Sequence, residues 1–438
     1  MSPAVTLERR LGLFGASLFG LSYICPTVVI STFGLIAHDS AGAAASAYLV
    51  ATFAMLLTAL SYGRMAARYP QAGSAYAYLS QSAGSGWGFL TGWVLILDYF
   101  FVPMVICLFT AKGLELLVPA VSFRWWIAAI ATTTTLINLR GIALTHRVNV
   151  TIMLAQLAVI ALLIAGSALR AGASLRTAPL APFLSEHTRW PLVLSGASIA
   201  AYSFLGFDAV TTLAEETVEP TRNIPRATVN AAAICGLIYV MSAYVMSLAH
   251  PAVRFADLDN GGYEVMREGV GPLFTTLLTV VMIAYAASVM CAQAASARLL
   301  YALGRDGWLP GRLGFHALHP RWRTPFYNVV LVGAVMLIGE GVELSTAAQC
   351  VNFGAFCAFL AVNLAVLALA WRARGGGRLR WLSLLQPVLG ALATLWLLAS
   401  LHLQALIVGT AWSAIGLLYG SLRARRAHSA TRVSGVSQ

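Results

Sequence analysis

Apolar residues in this chain fall in long blocks, and short polar stretches separate one block from the next. The blocks do not alternate with the two-residue period of a barrel strand. Most run to about 20 residues, the length an α-helix needs to cross a hydrocarbon core of roughly 30 Å. In lipid such a block must be helical, because every backbone amide has to be satisfied within the segment. The pattern predicts about twelve spans, near residues 11–37, 43–63, 87–111, 124–139, 148–168, 191–214, 228–250, 271–300, 326–342, 345–371, 383–401 and 403–421. The expected fold class is an all-α integral membrane protein.

Composition supports this. Hydrophobic residues make up 59% of the 438 and charged residues 10%, against roughly 25% charged in an average soluble domain. One soluble core could not hide so much apolar surface. The first block begins at Leu11 and continues past Ala37, longer than the core of a cleavable signal peptide. The loops are too short to hold a soluble enzyme module. Segments 251–271 and 301–325 each have room for a short surface helix, and the tail after Arg426 reads as irregular.

Basic residues then orient the bundle. With the N-terminus in the cytoplasm, one side collects 21 of the 28 lysines and arginines, Arg9, Arg10, Arg140, Arg298, Arg305, Arg321, Arg323 and Arg374 among them. The other side keeps Lys112, Arg124, Arg170, Arg176, Arg189, Arg254 and Arg267. This places both termini inside a cytoplasmic (inner) membrane. It also accounts for the net charge of +12 without a nucleic-acid partner. The six cysteines sit inside apolar blocks and the histidines are scattered, so neither a disulfide framework nor a metal site is expected. No HExxH or GxSxG motif is present. Neither an enzyme nor a cofactor is expected.

Two spans are interrupted, five spans apart. The first contains Ser22, Tyr23, Cys25, Pro26 and Thr27. Pro26 has no amide hydrogen, so the carbonyl near Ser22 loses its helical partner. The sixth contains Tyr202, Ser203, Phe204, Gly206 and Asp208. Interrupted helices at matching positions of two five-span halves point to an inverted-repeat transporter with its site at the midplane. The alternative at Pro26 is a simple kink. Divided this way, the chain comprises an N-terminal segment 1–10, a first repeat 11–168, an inverted repeat 191–371, two further spans over 383–421 and a cytoplasmic tail 422–438.

Of 16 carboxylates, Asp98 and Asp208 lie near mid-span, and no lysine or arginine accompanies them there. Such a carboxylate is either protonated or awaiting a cation; the other reading is a neutral, hydrogen-bonded structural aspartate. Asp98 is assigned to a substrate ammonium, and Asp208 to proton coupling or a gate. Tyr23, Tyr202, Phe204 and Tyr285 are aromatic candidates for contact with a cation, or for ordinary helix packing. Glu215, Glu216 and Glu219 face Arg222 and Arg226 within one short loop, as gating ion pairs or as a solvated cluster. Arg298, Arg305 and Asp306 are candidates for a similar gating part.

Four stretches carry a resemblance to a known family. These are 64–78 (RMAARYPQAGSAYAY), 202–208 (YSFLGFD), 215–226 (EETVEPTRNIPR) and 298–310 (RLLYALGRDGWLP). In this order and spacing they resemble the amino acid–polyamine–organocation superfamily. Segments 25–29 (CPTVV), 92–99 (GWVLILDY) and 137–140 (INLR) are most similar to its putrescine importers. The resemblance implies a LeuT-type 5+5 inverted repeat with helices 1 and 6 broken. It implies alternating access by a monomer or homodimer, and import of an amine or amino acid driven by a proton or sodium gradient. The breaks, the mid-span acid and the neighbouring aromatics give Ser22, Tyr23, Cys25, Pro26, Thr27, Asp98, Tyr202, Ser203, Phe204, Gly206 and Tyr285 as candidate substrate residues, and the resemblance implies a gating aromatic at Tyr202. The chain departs from some relatives at Ser31, where cation carriers have an acid, and at Gln156, near the position of a helix-five lysine. An exchanger or a neutral amino-acid permease is the other reading on the same architecture.

Overall fold

The computed structural model describes residues 9–172, 174–184, 188–251, 254–341, 344–372 and 378–434. Residues 1–8 and 435–438 of the expected terminal segments, and Arg374, lie outside them. The first expected span is two helices, α1 (Leu13–Ile24) and α2 (Val28–Asp39), bent by 49° at the break. Then follow α3 (Ala44–Arg68), α4 (Ala75–Ser82), α5 (Ser85–Leu117), α6 (Phe123–Leu139), α7 (Ile142–Ala171) and the single turn α8 (Ser174–Thr177). The sixth expected span is α9 (Trp190–Tyr202) followed by a 3-10 helix, Phe207–Glu216. The rest comprises α10 (Pro220–Ala249), α11 (Gly261–Val270), α12 (Phe274–Arg305), α13 (Phe326–Ile338), α14 (Leu344–Arg372), α15 (Arg378–Ala399) and α16 (Leu403–Ser434).

Eight helices among the described residues are long and apolar enough to cross a membrane, and the bent pair α1–α2 makes a ninth. Helices α6 and α13, of 17 and 13 residues, are shorter, and with α15 they occupy the three remaining expected positions. Packing follows a five-span period. Helix α3 packs on α10, α5 on α12 and α6 on α13, each pair five spans apart. The contact of α1 with α10 corresponds to that of α9 with α3, and the contact of α5 with α14 to that of α12 with α7. Five is odd, so two such halves cross a membrane in opposite senses.

Segment 251–271 holds a surface helix, α11. In segment 301–325 there is only a 3-10 turn at Gly311–Leu313 after α12 ends at Arg305. The tail differs from expectation: α16 continues to Ser434. Arginine and alanine, both good helix formers, dominate its last turns, and propensity there outweighs low hydrophobicity. Over Leu403–Arg423 only 17% of its apolar window is buried in the protein. It is held to α5 by stacking of Trp93 on Trp412, ring centroids 4.8 Å apart. Each indole N–H also donates to the other tryptophan's carbonyl, at 3.0 and 2.8 Å.

Candidate substrate site

Helix α1 ends because Cys25 adopts φ +59° and Pro26 follows it. The Cys25 amide still reaches the Leu21 carbonyl at 2.9 Å, but Pro26 cannot donate to Ser22. The exposed carbonyls are taken up from α12: Ser288 donates to the Tyr23 carbonyl at 2.5 Å, and the Tyr285 hydroxyl reaches the Thr27 carbonyl at 3.4 Å. Helix α9 ends in a tight turn over 203–206, with Gly206 at φ +108°. A left-handed conformation of this kind is open to glycine and strained for other residues.

The two interruptions touch. A Cβ at Gly206 would lie 2.5 Å from Cε1 and 2.8 Å from Cγ of Tyr23, and nearer still to Cδ1. The bare glycine is what admits the Tyr23 ring. Ten consecutive residues in 3-10 geometry follow, Phe207–Glu216; runs beyond three or four are uncommon and mark strain or a hinge.

The first break has two polar flanks. On one, Cys25 Sγ lies 3.2 Å from Thr27 Oγ1 and 3.4 Å from Gln156 Oε1 of α7. Tyr285 donates to Ser31 Oγ at 3.2 Å on the same side. The positions at which the chain departs from some relatives, Ser31 and Gln156, are therefore neutral hydrogen-bonding groups against helix one. The other flank holds the carboxylates. Tyr99 and Ser74 donate to Asp208 Oδ2 at 2.8 and 3.1 Å, while Oδ1 has no partner. Asp98 is 2% exposed and its Oδ1 is also unpartnered. It packs against α14 at Gly354, where an added Cβ would lie 3.2 Å from the Asp98 Cβ. Asp98 is within electrostatic reach of Asp208, Tyr23 and Tyr202. Among the described residues neither aspartate has a cationic partner. Ser22 Oγ and Gln156 Nε2 are likewise buried without a partner, and unsatisfied polar atoms clustered around one break require an explanation.

Of the expected residues, Ser22, Tyr23, Cys25, Thr27, Gly206, Asp98, Asp208 and Tyr285 gather around the breaks. Tyr202 closes α9 and is half-buried. Phe204 lies edge-on to Tyr239 of α10 with ring centroids 5.1 Å apart. Ser203 is held on the same side, its carbonyl accepting from the Tyr239 hydroxyl at 2.8 Å. Sequence reasoning missed Tyr99, Ser74 and Ser288. Tyr99 adjoins Asp98 in the chain, and that adjacency was the one available signal.

The arginine-rich end of the bundle is closed. The Arg10 and Leu11 amides donate to the Glu216 carbonyl at 2.9 and 3.0 Å, and the Val218 amide returns to the Leu11 carbonyl at 2.8 Å. The Glu216 carboxylate takes a two-pronged bond from Arg298 of α12, at 2.7 and 2.9 Å. Glu215 pairs with Arg305 at 2.7 Å and accepts from the Ala72 amide at 3.2 Å. Tyr76 donates to Asp306 at 2.6 Å. Of the pairs expected inside the 215–226 loop, only Glu219–Arg222 forms, exposed and at 3.8 Å. Glu215 and Glu216 instead pair across to α12, whose arginines approach as that helix packs against the 3-10 segment.

The amino acid permease family matches residues 11–416. The chain is 37% identical over 424 residues to the low-affinity putrescine importer PlaP of Escherichia coli K12, covering 95% of this chain and 93% of that one. It is 26% identical to the branched-chain amino acid permease BcaP of Bacillus subtilis, over 83% of this chain and 81% of that one. The methylthioribose transporter of the same organism is 27% identical, over 97% of this chain and 95% of that one. With the paired helix interruptions and the five-span packing period, this match makes the chain a member of the amino acid permease family, within the amino acid–polyamine–organocation superfamily.

Proposed function

We propose that this protein is a secondary active importer of a putrescine-like diamine across the inner membrane, coupled to protons and working by alternating access. The observation that carries the reading is Asp98: a buried carboxylate with an unpartnered oxygen and, among the described residues, no cationic partner, within electrostatic reach of Tyr23 at the first break. A diamine supplies two ammonium groups. One goes to Asp98, and the other to carbonyls and hydroxyls of the first interruption, around Ser22, Tyr23 and Thr27. Charge-assisted hydrogen bonds of this kind are about twice as strong as neutral ones. Asp208, already oriented by Tyr99 and Ser74, is the proton-linked group, and Tyr202 is the gating aromatic. The similarity to a putrescine importer supports the substrate class.

The arginine-rich end is assigned to the cytoplasm, since 21 of the 28 basic residues lie on that side. The conformation in hand is then closed inward. Inward opening has to break the Glu216–Arg298 and Glu215–Arg305 pairs and the tie between Leu11 and Val218.

A neutral amino-acid permease or exchanger is the second reading. The neutral Ser31 and Gln156 beside helix one favour it, as do the branched-chain and methylthioribose relatives. Uptake of radiolabelled putrescine into proteoliposomes, with and without an inward proton gradient, decides between them. Saturable, gradient-stimulated uptake supports diamine import. Absence of putrescine uptake together with counterflow of a neutral amino acid sinks it and establishes the second reading.

A further inference from the structure

At the arginine-rich end, a cleft of about 150 Å³ opens beside the closed gate. Five arginines, Arg10, Arg140, Arg298, Arg321 and Arg323, are among the residues that line it, and Glu216 is the one acidic residue there. They come from four places in the fold: the segment before α1, the corner between α6 and α7, helix α12, and the turn before α13. The bias of basic residues toward one membrane face explains charge on this face. It does not explain why residues from four separate segments converge on one cleft.

Glu216 is committed to Arg298 by two hydrogen bonds, so it does not balance Arg140, Arg321 and Arg323. Among the described residues Arg140, Arg321 and Arg323 have no carboxylate partner. Arg140, Arg321 and Arg323 are solvent-exposed, and like charges gathered at one place still repel within a Debye length of roughly 8–10 Å. An oxyanion relieves that repulsion. Guanidiniums approaching from several directions suit a tetrahedral anion, because each presents planar paired donors to two of its oxygens. The volume also exceeds several times a water molecule's share of roughly 30 Å³, enough for a phosphate group.

We propose that this cleft binds a phosphate group, carried by an anionic phospholipid of the adjoining leaflet or by a soluble phosphate-bearing anion. The bound group bridges two sets of elements. Arg10 and Glu216 belong to the segments flanking the broken helices, whereas Arg140, Arg298, Arg321 and Arg323 belong to unbroken helices and their turns. A phosphate held between them fastens the gate region from outside. The site is independent of the transported substrate, so its test does not depend on transport.

The test is thermal unfolding of the purified full chain in detergent, at fixed ionic strength. Phosphatidylglycerol, phosphatidylcholine and inorganic phosphate are each titrated in. Wild type should show a saturable rise in apparent Tm of roughly 3 °C or more with phosphatidylglycerol beyond that with phosphatidylcholine, or with inorganic phosphate. A rise with phosphatidylglycerol alone identifies a lipid headgroup; a rise with inorganic phosphate identifies a soluble anion. The triple variant Arg140→Gln, Arg321→Gln, Arg323→Gln, altered only at exposed positions, should lose the rise. If that variant does not purify as a monodisperse protein, Arg321→Gln alone should weaken half-saturation by about fivefold or more. The proposal is overturned if neither ligand shifts wild type beyond phosphatidylcholine, or if the variants respond as wild type does.

Discussion

Replacing Gly206 with alanine tests whether contact between the two helix interruptions matters. The backbone at Gly206 has φ +108° and ψ −8°, and holding an L-residue in a left-handed conformation costs roughly 1–2 kcal/mol. The added methyl would also lie 2.5 Å from Tyr23 Cε1 and 2.8 Å from Cγ. The ring, buried at 3% exposure, would have to leave its place, and overpacking of this kind costs about 1–3 kcal/mol. The two effects together come to roughly 2–5 kcal/mol, and even the lower figure is about a 30-fold change in an equilibrium. Gly206→Ala should therefore lower the initial rate of uptake by about 30-fold or more, together with apparent Tm. Gly86→Ala is the control. Its Cβ would meet nothing within 4 Å and its φ is not in the left-handed region, so it should change neither quantity appreciably. A Gly206→Ala protein with wild-type uptake and wild-type Tm would refute the claim that Tyr23 is seated on this glycine in the working molecule.

Glu216→Gln leaves the buried Arg298 guanidinium without its carboxylate, which costs about 3–5 kcal/mol. It should loosen the arginine-rich end and raise the alkylation rate of a cysteine placed at the buried Thr217 by tenfold or more; an unchanged rate would contradict the gate assignment. Trp412→Ala removes the stack and one of the two exchanged indole hydrogen bonds, that of the Trp412 N–H to the Trp93 carbonyl, which help hold α16 to α5. It should lower apparent Tm while leaving half-saturation for substrate unchanged, since the packing of α16 among the described residues is chiefly on α5 and α14. An altered half-saturation would mean that α16 takes part in the site.

The spans and their interruptions were legible because each rests on a local rule. Twenty apolar residues must form a helix in lipid, and proline or a left-handed glycine can interrupt one, although Pro103 is carried within α5. Asp98 and Asp208 stood out for the same reason, as carboxylates without nearby cations in the chain. What eluded the sequence was which side chains meet. Tyr99 and Ser74 reach Asp208 across 109 and 134 residues, and nothing in an apolar block distinguishes the face that packs inward from the face that meets lipid. The acidic loop shows the same limit. Glu216 has Arg222 and Arg226 close in sequence, but bonds Arg298, 82 residues away. The 3-10 segment turns Glu216 inward, where the buried guanidinium of α12 is available. Phe204 shows it too: its proximity to the break is legible in the sequence, but its packing on Tyr239 of α10 is not.

The central claim is that Asp98 receives one ammonium of a diamine, and equilibrium binding to purified protein tests it most directly. Putrescine and butylamine differ by one ammonium group, and Asp98→Asn removes one negative charge, so the four affinities form a cycle. A hydrogen bond to a charged group contributes about 1.5–3 kcal/mol, equivalent to roughly 10- to 150-fold in Kd. The account predicts that Asp98→Asn weakens putrescine by about that factor, to the level of butylamine, and leaves butylamine nearly unchanged. Equal weakening of both ligands, or no weakening of either, would contradict it.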